Sequence, residues 1–197
     1  MTRLRFPAVG FALAGGHSLR MGRDKALLPW GQATLLDHTL TRLRECCDDV
    51  RILCGPTPRY LDRGAPADID VVAGVGALAG VLTGLELLED RSGLFLATDL
   101  PWVPPALLRQ LLELAKTYDA VVPVSPEGLQ PLAAVYRGTC RAAIRRCLDQ
   151  GDFRVTSFLS GVKVREVVRE ELAAFGDPAT MFQNLNTSED YAAARGH

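Results

Sequence analysis

Short apolar segments alternate along this chain with segments whose leucines recur at helical spacing, and that alternation most narrows its possible folds. Ala8 to Ala14 is a continuous apolar run, as in a strand covered on both faces. Thr34 to Cys46 carries Leu35, Leu36, Leu40 and Leu43 on one helical face, and the strand-like Val50 to Cys54 follows. Asp70 to Ala73 reads as a short strand, Ala77 to Leu88 as a helix, and Leu94 to Ala97 as a strand ending in Thr98-Asp99. Pro104-Pro105 opens a helix toward Lys116, since proline suits a first turn whose N–H has no partner. Ala120 to Val124 is strand-like again. The last third is less regular. It contains a strand over Pro131 to Tyr136, a helix over Gly138 to Asp149, a short helix over Arg154 to Leu159 and an edge strand over Val162 to Val168. Thr187-Ser188-Glu189-Asp190 forms a capping box that starts a final helix. Strand–helix repetition of this kind predicts an α/β fold, a mostly parallel sheet with helices on both faces. Ligands of such folds bind beyond the carboxyl ends of the strands, here after Ala14, Ala97 and Val124.

A formal net charge of −1 argues against binding nucleic acid or an acidic membrane by bulk charge. The five cysteines contain no C-x-x-C and there are only three histidines, which points to reduced thiols in a cytoplasmic protein rather than a zinc site. The apolar run from Phe6 to Ala14 is too short to span a bilayer. The 197 residues favour one domain.

The segment leaving the first strand reads Leu13-Ala14-Gly15-Gly16-His17-Ser18-Leu19-Arg20-Met21-Gly22-Arg23-Asp24-Lys25. Glycines let backbone N–H groups approach an anion, Ser18 adds a hydroxyl donor, and Arg20, Arg23 and Lys25 add positive charge. Together they suit a triphosphate. The Walker A ending is absent because Gly22 precedes Arg23, and the dinucleotide fingerprint G-x-G-x-x-G is absent from this loop, which disfavours a dinucleotide oxidoreductase. Asp99 ends a buried strand, a position suited to Mg²⁺, which is usually held by one or two carboxylates plus substrate phosphates; capping the helix at Pro104 is the other reading. The small residues of Gly76 to Leu85, Gly80 among them, suit either close approach of a flat ring or tight helix–sheet packing. Gln130-Pro131-Leu132 and Phe182 to Thr187 complete the candidates; Asn186 or Thr187 can cap the last helix, whereas Asn184 has no such duty.

Taken together, LAGGHSLRMGRDKALL, GALAGVLTGL, ATDLP, QPLAAVYR, GDFRVTSFL and NLNTSEDY resemble the molybdenum cofactor guanylyltransferases, the MobA-like proteins, over nearly the whole chain. The resemblance implies a three-layer, Rossmann-like nucleotidyltransferase fold in a single domain over 1–197. The nucleotide would bind in about the first 125 residues and the acceptor in the remainder. It implies an Mg²⁺-dependent transfer of GMP from GTP to molybdopterin with release of pyrophosphate. Possible partners are molybdenum-insertion and molybdoenzyme-maturation proteins, with no nucleic acid and no membrane. By match to the family pattern, Leu13, Ala14 and Gly15 would contact the nucleotide, and Gly16, Ser18 and Gly80 join them as nucleotide-binding candidates on their own residue chemistry. The same match has Lys25 contact phosphate, Asp99 hold Mg²⁺, and Asn184 and Asn186 lie by the acceptor or metal; the charge of Arg20 suits the same phosphates, and Gln130 is a further acceptor candidate. The family usually has proline where Ala77 stands, an asparagine near Leu53-Cys54-Gly55, and a nucleotide-contacting aspartate before the Gly76 segment. Asp68 and Asp70 are the acids near that last position, and Asp70 is taken for the role. The rival readings are the same chemistry with CTP or with a sugar phosphate, and a nucleotide-binding module without catalysis.

Overall fold

The computed structural model describes residues 5–15 and 24–195. In chain order the elements are β1 (Phe6–Leu13), β2 (Pro29–Trp30), β3 (Ala33–Thr34), α1 (Leu35–Arg44), β4 (Cys47–Leu53), β5 (Ala67–Asp68), α2 (Ala77–Glu86), β6 (Ser92–Ala97) and α3 (Pro105–Leu114). They continue with β7 (Ala120–Ser125), β8 (Gly128–Leu129), β9 (Ala133–Arg137), α4 (Arg141–Asp149), β10 (Val164–Val167), α5 (Arg169–Leu172), α6 (Pro178–Met181) and α7 (Ser188–Arg195).

The main sheet runs β10-β7-β9-β6-β1-β4-β5, with β8 beside β7. β1 pairs in parallel with β4 and β6, β4 with β5, and β7 with β10, while β9 is antiparallel to both β6 and β7. Alternation along β1 explains the layers. Ala8 and Ala12 face a core completed by Leu36, Leu40 and Leu43 of α1 and by Leu107, Leu108 and Leu111 of α3. Val9 and Phe11 face the opposite core, with Leu78, Val81, Leu82 and Leu85 of α2 and Ile144 of α4. The result is a three-layer α/β/α fold with the mostly parallel sheet in the middle.

Local chemistry sets the helix starts. The Thr34 hydroxyl and Asp37 carboxylate form a capping box on α1. α3 begins with proline at its first position. At α7, the Asp190 N–H donates to Thr187 Oγ1 at 3.0 Å, and the Asp190 carboxylate accepts from the Thr187 N–H at 2.8 Å.

Two expectations need correction. Residues 70–73 are not a strand; β5 lies earlier, at Ala67–Asp68. The backbone leaves the sheet there because the Asp70 N–H donates to Gly55 O and the Val71 N–H to Thr83 Oγ1. The helix expected over Arg154–Leu159 is a 3₁₀ turn at Ser157–Gly161. The Asp152 carboxylate captures the Arg154 N–H and the Ser157 hydroxyl, which holds the preceding residues in a turn. The β2–β3 hairpin was not foreseen. No described helix is long and apolar enough to cross a membrane.

Candidate active site

The floor of the site forms where three neighbouring strands end together. The Ala14 N–H donates to Leu53 O at 2.9 Å, and the Thr98 N–H donates to Leu13 O at 3.2 Å. The chain therefore leaves β1, β4 and β6 side by side, through Gly15, Gly55 and Asp99. The two glycines touch. A Cβ on Gly15 would lie 2.7 Å from Gly55 Cα, closer than such atoms approach, and Gly55 has φ 81°, a conformation that favours glycine. Among the described residues, backbone lines this part of the crevice.

One side of the crevice is charged. Lys25 Nζ lies 3.3 Å from Asp99 Oδ2 and 3.3 Å from Asn186 Oδ1. These residues are 74 and 161 positions from Lys25 in sequence, so only the tertiary fold joins them. Each has its own support. Lys25 sits in the 3₁₀ turn Lys25–Leu27, which the Asp24 carboxylate caps through the Ala26 N–H. The Asp99 backbone carbonyl accepts from the Leu185 N–H at 3.0 Å, which fastens the segment containing Asn184 and Asn186 to the end of β6. The Asn186 N–H is held by the Asp190 carboxylate at 3.0 Å. Beneath lies a small apolar cluster of Leu28, Leu35 and Leu185, with Trp30, Trp102 and Tyr191 packed against it. The ion pair is partly exposed, with the Lys25 and Asp99 side chains at 17% and 25%. An incoming anion and cation can therefore compete for its two members. Asp99 does not cap α3, whose N-cap is Pro104 with no side-chain hydrogen bond.

The other side carries a carboxylate of different character. Asp70 Oδ1 is buried and makes no hydrogen bond. Burial raises the Asp70 pKa, and the positive charge of Arg59 opposes that shift. A Cβ on Gly80 would lie 3.0 Å from Leu13 Cδ2 and 3.8 Å from this Asp70 oxygen, so Leu13, Asp70 and Gly80 share one wall. An orphaned buried acceptor is costly to leave unmade and suits a ligand donor. Tight packing accounts for Gly84, where a Cβ would meet Phe95 at 2.5 Å.

Gly16, Ser18 and Arg20 lie outside the described residues. Of the remaining candidates, Lys25, Asp99 and Asn186 meet directly, and Leu13, Ala14, Gly15, Asp70 and Gly80 line the adjoining strand ends. Asn184 is half-buried, one residue before the Leu185 amide that holds Asp99. The Gln130 side-chain amide is instead engaged at the β7–β8 turn, donating to Ser125 Oγ at 2.8 Å. Asp24, Gly55, Arg59 and Tyr60 were missed as parts of the site. Gly55 carries the one legible signal, a glycine directly after an apolar strand; Arg59 and Tyr60 lie in an aperiodic connection that carries none.

No three of the described His, Cys, Asp and Glu side chains converge as an all-protein metal cage. A hard cation such as Mg²⁺ is usually held by one or two carboxylates together with substrate phosphates. Asp99, a partly exposed carboxylate at a strand end, has the right chemistry for such a ligand.

An open α/β sheet with its crevice at the strand carboxyl ends, lined by bare backbone, a lysine and carboxylates, defines a nucleotide-binding protein of the doubly wound class. The MobA-like NTP transferase domain matches residues 10–167, and the chain belongs to that family; it is a nucleotidyltransferase. A probable molybdenum cofactor guanylyltransferase from Pelotomaculum thermopropionicum is 36% identical, covering 95% of this chain and 92% of the relative. A second, from Chloroflexus aggregans, is 33% identical, covering 92% and 90%. Among solved structures, molybdopterin-guanine dinucleotide biosynthesis protein A from Archaeoglobus fulgidus is similar, with TM-score 0.80 and 24% identity over 95% of this chain and 97% of that one. That structure shares the fold described above.

Proposed function

We propose that this chain transfers GMP from GTP to the phosphate of molybdopterin and releases pyrophosphate, with Mg²⁺ as its cofactor. The observation that carries the proposal is the meeting of Lys25, Asp99 and Asn186 beside the bare glycine backbone at the end of β1. The relatives' names supply the nucleotide and the acceptor.

In the reaction an acceptor phosphate oxygen forms a bond to the α-phosphorus while the bond to the β-phosphate breaks. The acceptor phosphate is already ionised at neutral pH, so the chain needs no general base. Two polyanions must approach each other, and neutralising their charge is the main task of the protein. Lys25 presents its ammonium to the transferring phosphate and the leaving pyrophosphate. Asp99 would hold Mg²⁺, which supplies further neutralisation of phosphate charge when bound. Asn186 keeps the Lys25 ammonium oriented, and with Asn184 it faces the acceptor. The backbone at Gly15 and Gly55 lets the nucleotide approach closely, while the unpartnered Asp70 oxygen accepts from a donor on its base or ribose.

The test is pyrophosphate release with Mg²⁺ and molybdopterin across the four ribonucleoside triphosphates. GTP is expected to give the highest rate. A preference for CTP would reassign the nucleotide. Activity with a sugar phosphate in place of molybdopterin would reassign the acceptor. No release with any nucleotide would leave a binding module without catalysis.

A further inference from the structure

We infer that Tyr60, with Arg59, is a positioning residue that clasps the two ends of the segment between Gly15 and Asp24 and thereby sets the place of Lys25. The Tyr60 hydroxyl lies 2.7 Å and 2.9 Å from the two carboxylate oxygens of Asp24 and 3.3 Å from the carbonyl of Ala14. One hydroxyl proton serves one acceptor, and the charged carboxylate at the shorter distance takes it. The Ala14 carbonyl is then served by Arg59, whose Nη2 lies 3.4 Å from it and 2.8 Å from the carbonyl of Cys54. The same guanidinium reaches Asp24 Oδ2 at 3.4 Å and sits 5.1 Å over the Tyr60 ring. Two consecutive residues therefore hold the residues that directly follow β1 and β4 and the residue immediately before Lys25. Asp24 passes the restraint on by capping the turn that contains Lys25.

Two features separate this clasp from ordinary packing. Tyr60 is the one non-glycine residue among those described with positive φ, 63°, a conformation rare for a bulky side chain. Such geometry persists only where the surroundings over-determine it and concentrates at functional sites. Tyr60 is also 7% exposed, and its buried hydroxyl points at the carboxylate that caps the Lys25 turn. A rigid clasp on both Ala14 and Asp24 fixes where the Lys25 ammonium presents itself to phosphate, and small misplacements at a reacting centre are costly.

The test is a double-mutant cycle between Tyr60→Phe and Lys25→Ala, read by GTP affinity in titration calorimetry and by pyrophosphate release. Tyr60→Phe removes only the hydroxyl. It should weaken GTP binding and lower kcat by about tenfold together, on the scale of one charge-assisted hydrogen bond, with the acceptor KM within about twofold of wild type. In the Lys25→Ala background the same substitution should cost less than about twofold, because the lysine it positions is gone. Wild-type affinity and turnover in Tyr60→Phe would overturn the inference, as would an equal loss in both backgrounds, the mark of a merely structural role. Should Tyr60→Phe melt far below wild type, Asp24→Asn, which keeps the shape and removes the charge, carries the same cycle with the same outcomes. The turnover arm rests on the nucleotidyl-transfer reading and the affinity arm does not. Wild-type protein that binds GTP but releases no pyrophosphate refutes transfer while the cycle in affinity still decides the clasp.

Discussion

Lys25→Ala separates catalytic from structural weight because the two magnitudes differ widely at this site. The lysine makes a partly exposed ion pair, at 17% and 25%, with Asp99 3.3 Å away. Pairs of that exposure contribute at most about 1 kcal/mol to folding, since water screens them and two side chains must be held still. For a domain of this size about 1 kcal/mol moves Tm by only ~2–4 °C. Asp99 keeps its backbone bond to the Leu185 amide after the substitution, so the strand end stays in place. The loss in the transition state is larger. Removing one preorganised donor from developing negative charge costs on the order of 10²–10³-fold in turnover, about 2.7–4 kcal/mol. The assay pairs initial rates of pyrophosphate release at saturating GTP, Mg²⁺ and molybdopterin with a melting curve on the same protein. The expectation is a rate lower by two to three powers of ten (about 10²–10³-fold) at nearly unchanged Tm. A rate within about threefold of wild type refutes the charge-neutralisation argument. A fall in Tm above about 10 °C would instead show that the lysine holds the fold.

Asp99→Asn keeps the shape and removes the charge, so it should shift the Mg²⁺ titration of turnover to much higher concentration; an unchanged titration curve excludes Asp99 as a metal ligand. Asp70 has its pKa raised by burial, so the folded state holds its proton to higher pH than the unfolded chain does, and its ionisation lowers stability as pH rises. Asp70→Asn should therefore flatten that fall in Tm between acid and neutral pH while weakening GTP binding, and parallel Tm–pH curves for the two proteins would contradict it. Gly84→Ala places a methyl 2.5 Å from Phe95, and overpacking of this kind costs about 1–3 kcal/mol. Its urea midpoint should fall while GTP affinity in the folded protein stays unchanged; an unaltered midpoint would mean that the Phe95 ring moves freely.

Much of the architecture could be read directly. The unbroken apolar runs at β1 and β6 and the one-sided leucines of α1 and α2 predict strands and helices where they occur, because periodicity reports burial and burial dominates the local choice. Residues 70–73 misled because Ile69, Val71 and Val72 look strand-like, while the partners that draw their backbone out of the sheet, Gly55 and Thr83, are remote in sequence. The β2–β3 hairpin escaped because its strands are two residues long and carry no period.

The same division runs through the site. Local sequence made Gly15, Lys25 and Asp99 candidates, since each stands in a short motif whose residue types suit phosphate or cation, while Asn186 entered through the family resemblance. The meeting of Lys25 with Asp99 and Asn186 at 3.3 Å, the orphaned oxygen of Asp70 and the grip of Arg59 and Tyr60 on Asp24 came only from the folded chain. Side-chain periodicity and turn chemistry act over a few residues and are written along the chain. Contacts between strand ends depend on how the whole sheet orders and twists, and no single segment encodes that.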